Sequence, residues 1–296
     1  MQVGQIAVNS LVWAAELGVI AIGMSLAYGI LGFANFAHGE FVTVGAYLTY
    51  TLHIQAGLPL LIAIPIAMLF TGLFAVLLDI GVFSYVRQAS AVAKMVLSVG
   101  IAMIIRAVIS VLFGTSALHL EFPSKRFEVS NVRFTDLQII IIVATLISMV
   151  LFHLVFQQTK LGKALRATAD NPALAEAKGI NTTGVIRWMW FISGIFAALG
   201  GILLGLETQL RPALGLFVLM PMFAAVTVGG LGSVYGAVVG ALVLALAQNL
   251  ALGIDYGSLL GFEPWRLRAG YKTGIALLAL VATLLVRPQG LFGREG

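Results

Sequence analysis

The chain has 296 residues, of which 60% are hydrophobic and only 10% charged, with a mean hydropathy of +1.04. A soluble domain needs about 25% charged residues to wet its surface, so most of this surface must face lipid. The formal charge of +5 does not point to nucleic acid, because the basic residues are not gathered on a polar module, and the lack of cysteine excludes disulfides, a thiol nucleophile and a cysteine-held metal.

A helix needs about 20 mainly apolar residues to cross the hydrocarbon core. That length predicts spans near 7–30, 59–83, 95–114, 137–157, 188–206 and 271–286. The first is too long for a signal-peptide core and lacks its basic flank, so it reads as the first span of the mature protein. Two further apolar regions, around 40–52 and 216–252, are interrupted by glycine and polar residues; the first follows GFANFAHGEF and the second contains VGGLGSVYG. Backbone freed by such breaks finds no partner in lipid, so both should be buried against other spans or line a wet cavity. The expected fold is an all-α integral membrane protein, a polytopic bundle of about eight or nine segments that includes broken or re-entrant helices.

Lysine and arginine set the orientation through the positive-inside rule. The segment from Lys160 to Arg187 holds Lys160, Lys163, Arg166, Lys178 and Arg187 against Asp170 and Glu176. Arg87 and Lys94 flank a short loop, and Arg287 and Arg294 lie in the C-terminal tail. These three segments are expected in the cytoplasm, with 116–135 and 253–267 outside. The N-terminus is then outside and the C-terminus cytoplasmic. Outside loops this short would leave an importer dependent on a separate protein to capture its solute.

Within the basic segment, Asn171 suits a helix N-cap and Pro172 the first helical position. Ala173 to Lys178 continue with good helix formers. Lys178 suits the negative end of the dipole, and Gly179 can take the left-handed conformation that closes a helix. A helix shorter than about 12 residues is marginal in water, so this one should lean on the span ends or on a cytoplasmic partner.

Nothing in the chain suggests covalent catalysis. There is no G-x-x-x-x-G-K-[ST] phosphate loop, so the chain should not hydrolyse ATP, and no H-E-x-x-H; the histidines are scattered at 38, 53, 119 and 153. Asn35, Phe36, His38 and Glu40 form the polar and aromatic entry to the first broken region. They either border a solute route or pin the break near the cytoplasmic interface, and the topology favours the second. Asn35 and His38 would share a face if 35–40 is helical. Gly229 and Gly230 permit the second break, while Gly232, Gly236 and Gly240 recur at the spacing that lets helices approach closely. They are read as packing, as a moving hinge or gate, or as a contact with a partner. Arg106 lies well inside its span and should pair with Glu16 or Asp79; Glu207 and Arg211 should pair at i,i+4.

Four pieces, in order along the chain, resemble ABC importer permeases for branched-chain amino acids: ILGFANFAHGEFVTVGAYLTY, GKALRATADNPALAEAKGIN, AAVTVGGLGSVYGAVVGALV and VRPQGLFG. The NFAHG motif is similar to one of the two subunit types in that family. The resemblance implies one transmembrane permease domain over 1–296 with a cytoplasmic coupling loop at 158–187. Gly162, Arg166, Asp170, Asn171, Pro172, Ala175, Lys178 and Gly179 then face the ATPase. It also implies a second, different permease subunit, two ATPase subunits that use ATP, and a periplasmic binding protein, in a bacterial inner membrane. No cofactor or metal is expected on this chain. Few polar fixtures suit apolar amino acids; urea, short amides and other neutral amino acids are the alternatives within the family. An ion-coupled carrier using Glu40 or Asp79 and a membrane scaffold subunit are the alternatives outside it.

Overall fold

The computed structural model describes residues 3–129, 131–257, 263 and 265–293, so Arg294 and part of the 253–267 segment lie outside the described residues. Helix α1 (Val3–Leu31) is followed by α2 (His38–Tyr50), which runs into a π turn at Thr51–Gln55. Next come α3 (Leu60–Gly81), α4 (Ala91–Phe113), α5 (Asp136–Gln158), α6 (Lys160–Asp170), α7 (Pro172–Ala177) and α8 (Thr182–Glu207). The order closes with α9 (Leu214–Gly229), α10 (Val234–Gly253) and α11 (Lys272–Val286). Seven helices among the described residues are long and apolar enough to span a bilayer: α1, α3, α4, α5, α8, α10 and α11 with its preceding turn. The region 216–252 divides into the short apolar α9 and the full-length α10, and the region 40–52 is the short α2.

One departure from the all-helical expectation lies between α4 and α5. Strands β1 (Arg126–Val129) and β2 (Val132–Thr135) pair antiparallel, from Arg126 opposite Thr135 to Val129 opposite Val132. Asn131 takes the left-handed conformation between them (φ 64°), which asparagine tolerates better than most residues. The alternation across this hairpin is too short and too polar to read as strand from hydropathy.

Burial sorts the helices into an inner and an outer set. Every residue of α1 from Ala15 to Ala27 is buried, as is every residue of α8 from Phe196 to Gly205. A helix apolar all round is at home only when surrounded. By contrast α3, α4, α5 and α11 turn long apolar rows outward, including Leu61, Leu77, Met103, Ile104, Val111, Leu278 and Leu285. Those rows are the lipid-facing surface that the composition demands.

The two short helices sit inside. His38 lies against Ser193, Val42 against Gly201 and Ala46 against Gly205, so α2 runs parallel to α8 in close contact. A Cβ on Gly201 would collide with the Val42 carbonyl, so only glycine permits this approach. The N-termini of these helices lack the side-chain caps found on most of the others. Helices α4, α5, α6, α7, α8 and α10 each start on a Ser, Thr or Asn side chain that accepts a first-turn N–H. Helices α2 and α9 start on Ala37 and Ala213 with no such cap. At α9 a tertiary contact serves instead: Gly215 N donates to Thr43 Oγ1 at 2.9 Å, joining the start of α9 to α2, while at α2 the donors turn back locally, His38 N to Asn35 O and Glu40 N to Ala37 O.

Candidate functional site

After Leu31 the chain leaves the helix and climbs back along α1 as irregular backbone before α2 begins at His38, beside Ile20 and Gly23 of α1. Such backbone at membrane depth needs internal partners, and side chains supply them. Asn35 Oδ1 accepts from Ala37 N at 3.1 Å, and Phe36 N donates to Ser98 Oγ of α4 at 3.0 Å. His38 Nε2 lies 3.3 Å from the Ile20 carbonyl, and Nδ1 lies 3.2 Å from Ser193 Oγ, so one imidazole ties α2 to both α1 and α8. Residues 35–37 are not helical, so Asn35 and His38 share a turn rather than a helix face.

Glu40, in the first turn of α2, is 1% exposed, and its Oε1 accepts from both Nε (3.1 Å) and one terminal nitrogen of Arg106 of α4. Its other oxygen accepts from Thr43 Oγ1 at 3.3 Å. The expected pairing of Arg106 with Glu16 or Asp79 is therefore overturned. Asp79 is held instead by Arg87, whose Nη2 is 2.8 Å from Oδ2. The Glu207–Arg211 pair also fails to form. Helix α8 ends at Glu207, so Arg211 is not on its next turn; Arg211 donates to Gln209, and Glu207 accepts from Gln138 at 2.9 Å. Asn35, Phe36, His38 and Glu40 are brought together as a packed knot, and none of them lines the cavities described next.

The larger cavity, about 780 Å³, opens beside the N-terminal half of α1. It is walled by Asn9, Trp13 and Glu16 of α1, by Glu207, Gln209 and Arg211 at the α8–α9 turn, by Leu214, Phe217 and Pro221 of α9, and by Asn249 and Lys272. Sequence reasoning placed Glu16 and Glu207 in ordinary structural pairs. The signal that could have found the site is an ionisable residue well inside a long apolar span, which in a membrane protein is a functional marker.

A second cavity, about 520 Å³, lies at the opposite end of α1. Tyr28 and Gly32, Phe156, Arg166 and Asp170, Gly232 and Tyr235, and Phe292 all border it. Gly232, expected at a gate, thus shares a space with Arg166 and Asp170, expected in coupling. Gly229 and Gly230 do not reach it. Gly229 packs on Gly236 of α10, and Gly230 (φ 112°) lies against the tail, where a Cβ would sit 2.6 Å from Gly293 N. The tail closes the break: Leu291 N donates to Val228 O and Phe292 N to Gly229 O, both at 2.9 Å.

The basic segment contains two helices rather than one. Helix α6 was not expected, because its charges mask a short buried stripe of Gly162, Leu165 and Thr168. Gly162 fits against the carbonyls of Val155 and Phe156, and Arg166 donates to the Phe156 carbonyl while its guanidinium lies 5.3 Å from that ring. Helix α7 follows the expected capping. Asn171 Oδ1 accepts from Leu174 N at 3.0 Å, Pro172 opens the helix, and Gly179 (φ 84°) ends it as Ile180 N donates back to Ala175 O. The helix stops at Ala177, with Lys178 as the C-cap. Only Ala175 of α7 is buried; Leu174, Glu176 and Lys178 are exposed. Asn171→Ala is expected to cost α7 about 0.5–2 kcal/mol, seen as faster amide exchange over 172–177; unchanged exchange would show that α7 does not depend on its cap.

Short apolar helices packed among seven of spanning length, with a cavity at either end of α1, mark a polytopic helical membrane protein. The family described as "Branched-chain amino acid transport system / permease component" matches residues 6–285. A probable branched-chain amino acid transport permease protein LivH of Methanocaldococcus jannaschii is 29% identical, over 96% of this chain and 91% of the relative. The high-affinity branched-chain amino acid transport system permease protein BraD of Pseudomonas aeruginosa is 28% identical, over 97% and 94%. A galactofuranose transporter permease protein, YtfT of Escherichia coli, is 28% identical over 90% and 76%. Among solved structures, PsaBC from Streptococcus pneumoniae in complex with Fab superposes with a TM-score of 0.51 at 14% identity, over 96% of this chain and 92% of that one, a likeness of fold. The chain belongs to the branched-chain amino acid transport system permease family. It is a permease component and not itself an ATPase.

Proposed function

We propose that the chain conducts branched-chain amino acids inward as one permease subunit of an ABC importer. It pairs with a second, different permease subunit and takes its solute from a periplasmic binding protein. Two ATPase subunits, which use the ATP, seat on α6 and α7. In this reading residues 1–296 act as one transmembrane domain in a bacterial cytoplasmic membrane. The N-terminus and the 780 Å³ cavity face outward, and the 158–187 segment and the tail face the cytoplasm. The relatives named for branched-chain amino acids support the solute. The observation that carries the coupling assignment is α7, a capped helix of six residues whose surface is almost wholly uncovered, since so short a helix gains little stability alone. Glu40 and Asp79, the carboxylates an ion-coupled carrier would use, are both tied up by arginine.

The test is uptake of labelled leucine by cells lacking their own systems and supplied with this permease, its partner permease, the ATPase and the binding protein. Uptake is expected only with all components and only with ATP. Gradient-driven uptake by this chain alone in liposomes would refute the reading.

A further inference from the structure

At the 780 Å³ cavity one carboxylate oxygen meets no donor among the described residues. Glu16 is 1% exposed, lines the cavity, and its Oε1 has no hydrogen-bond partner among the described residues. A buried carboxylate oxygen without a donor is costly unless something fills the space before it. Glu207 lines the same cavity, within side-chain hydrogen-bonding reach of the Glu16 carboxyl group, and Lys272 from the start of α11 interacts with Glu16 electrostatically. The Lys272 ammonium lies 5.2 Å from the centroid of the Trp13 ring, with no carboxylate within 4.0 Å among the described residues. The backbone at Lys272 is braced. Gln248 Nε2 donates to the Lys272 carbonyl at 2.8 Å, and Trp13 Nε1 donates to Gln248 Oε1 at 2.6 Å. Beside these groups Val12, Leu214, Phe217 and Val218 form an apolar wall.

We infer that this cavity is a binding site for a free zwitterionic α-amino acid with an apolar side chain. Glu16 Oε1 accepts from the α-ammonium, Lys272 Nζ donates to the α-carboxylate, and the apolar wall takes the side chain. The cavity lining carries two carboxylates, Glu16 and Glu207, and two cations, Arg211 and Lys272, a balance that favours a solute with separated charges and no net charge. Water fills the rest of a space larger than one amino acid. The inference rests on the permease reading for how the solute arrives and leaves, but the site stands on its own geometry.

The experiment is calorimetric titration of the full chain in lipid nanodiscs with leucine, 4-methylpentanoate, 3-methylbutylamine and glutamate. Leucine is expected to bind, and the two analogues that lack one charged group to bind at least about tenfold more weakly, the loss of one charge-assisted hydrogen bond; glutamate is expected to be rejected. Glu16→Gln should weaken leucine toward the affinity of 4-methylpentanoate, and Lys272→Gln toward that of 3-methylbutylamine. Equal binding of leucine and its analogues, no binding at all, or variants that bind leucine like the unaltered chain would each overturn the site. Uptake separates the two readings: a KM unchanged by both variants removes the site and leaves the permease, whereas leucine binding here without any uptake removes the permease and leaves the site.

Discussion

Arg106→Leu is expected to destabilise the protein by about 3–5 kcal/mol, the cost of leaving a buried charge without its partner. Among the described residues Glu40 has only Arg106 and a 3.3 Å contact from Thr43 to hold its charge, and Thr43 also accepts from Gly215 N. The loss is not symmetric. The Arg106 side chain is 25% exposed and can turn its head toward the surface, while that of Glu40 is 1% exposed and cannot. Glu40→Gln should therefore cost markedly less than Arg106→Leu, and the double replacement should recover much of the difference. Unfolding of the four proteins in detergent gives the cycle. Two equal single effects, each under about 1 kcal/mol, would mean that the pair behaves as an exposed one.

Leu174→Asp is expected to abolish most uptake without disturbing the fold. Leu174 is 56% exposed on α7, so the isolated chain loses little when it becomes charged. If α7 seats in an ATPase, the same leucine is an apolar anchor, and losing an anchor costs upward of about 2 kcal/mol, roughly thirtyfold in affinity. Leucine uptake should fall at least tenfold, with the amount of inserted chain unchanged on a blot, by the same anchor estimate of about 2 kcal/mol. Lys178→Ala, at the helix end, should fall less. Normal uptake by Leu174→Asp would move the coupling surface off α7.

What could be read from the chain alone was whatever depends on local chemistry. Apolar run length located the spans, and the glycine-bearing breaks located the interior short helices. The caps at Asn171, Pro172 and Gly179 defined α7 to within a residue. Pairings across the bundle were not legible. Helix α4 packs chiefly on α2, so the return of residues 32–37 along α1 brings Glu40, rather than Glu16 or Asp79, to Arg106. Glu207 and Arg211 have the right spacing for an ion pair but not a common helix. Helix α6 escaped because its buried stripe is a glycine, a leucine and a threonine among charges, a pattern that hydropathy averages away. The cavity around Glu16 and Lys272 joins helices from the two ends of the chain, so no local motif announces it.

The tail has a consequence for biogenesis. The carbonyls of Val228 and Gly229, at the end of α9, are covered by the backbone of Leu291 and Phe292. Helices α10 and α11 must be synthesised between the making of that break and its closure. During insertion the α9–α10 turn thus waits with open acceptors until Leu291 and Phe292 have been made. A nascent chain stalled before residue 290 holds all seven spanning helices of the described residues but leaves the α9–α10 hairpin unsealed, so closure of this hairpin follows, rather than accompanies, the making of the spans.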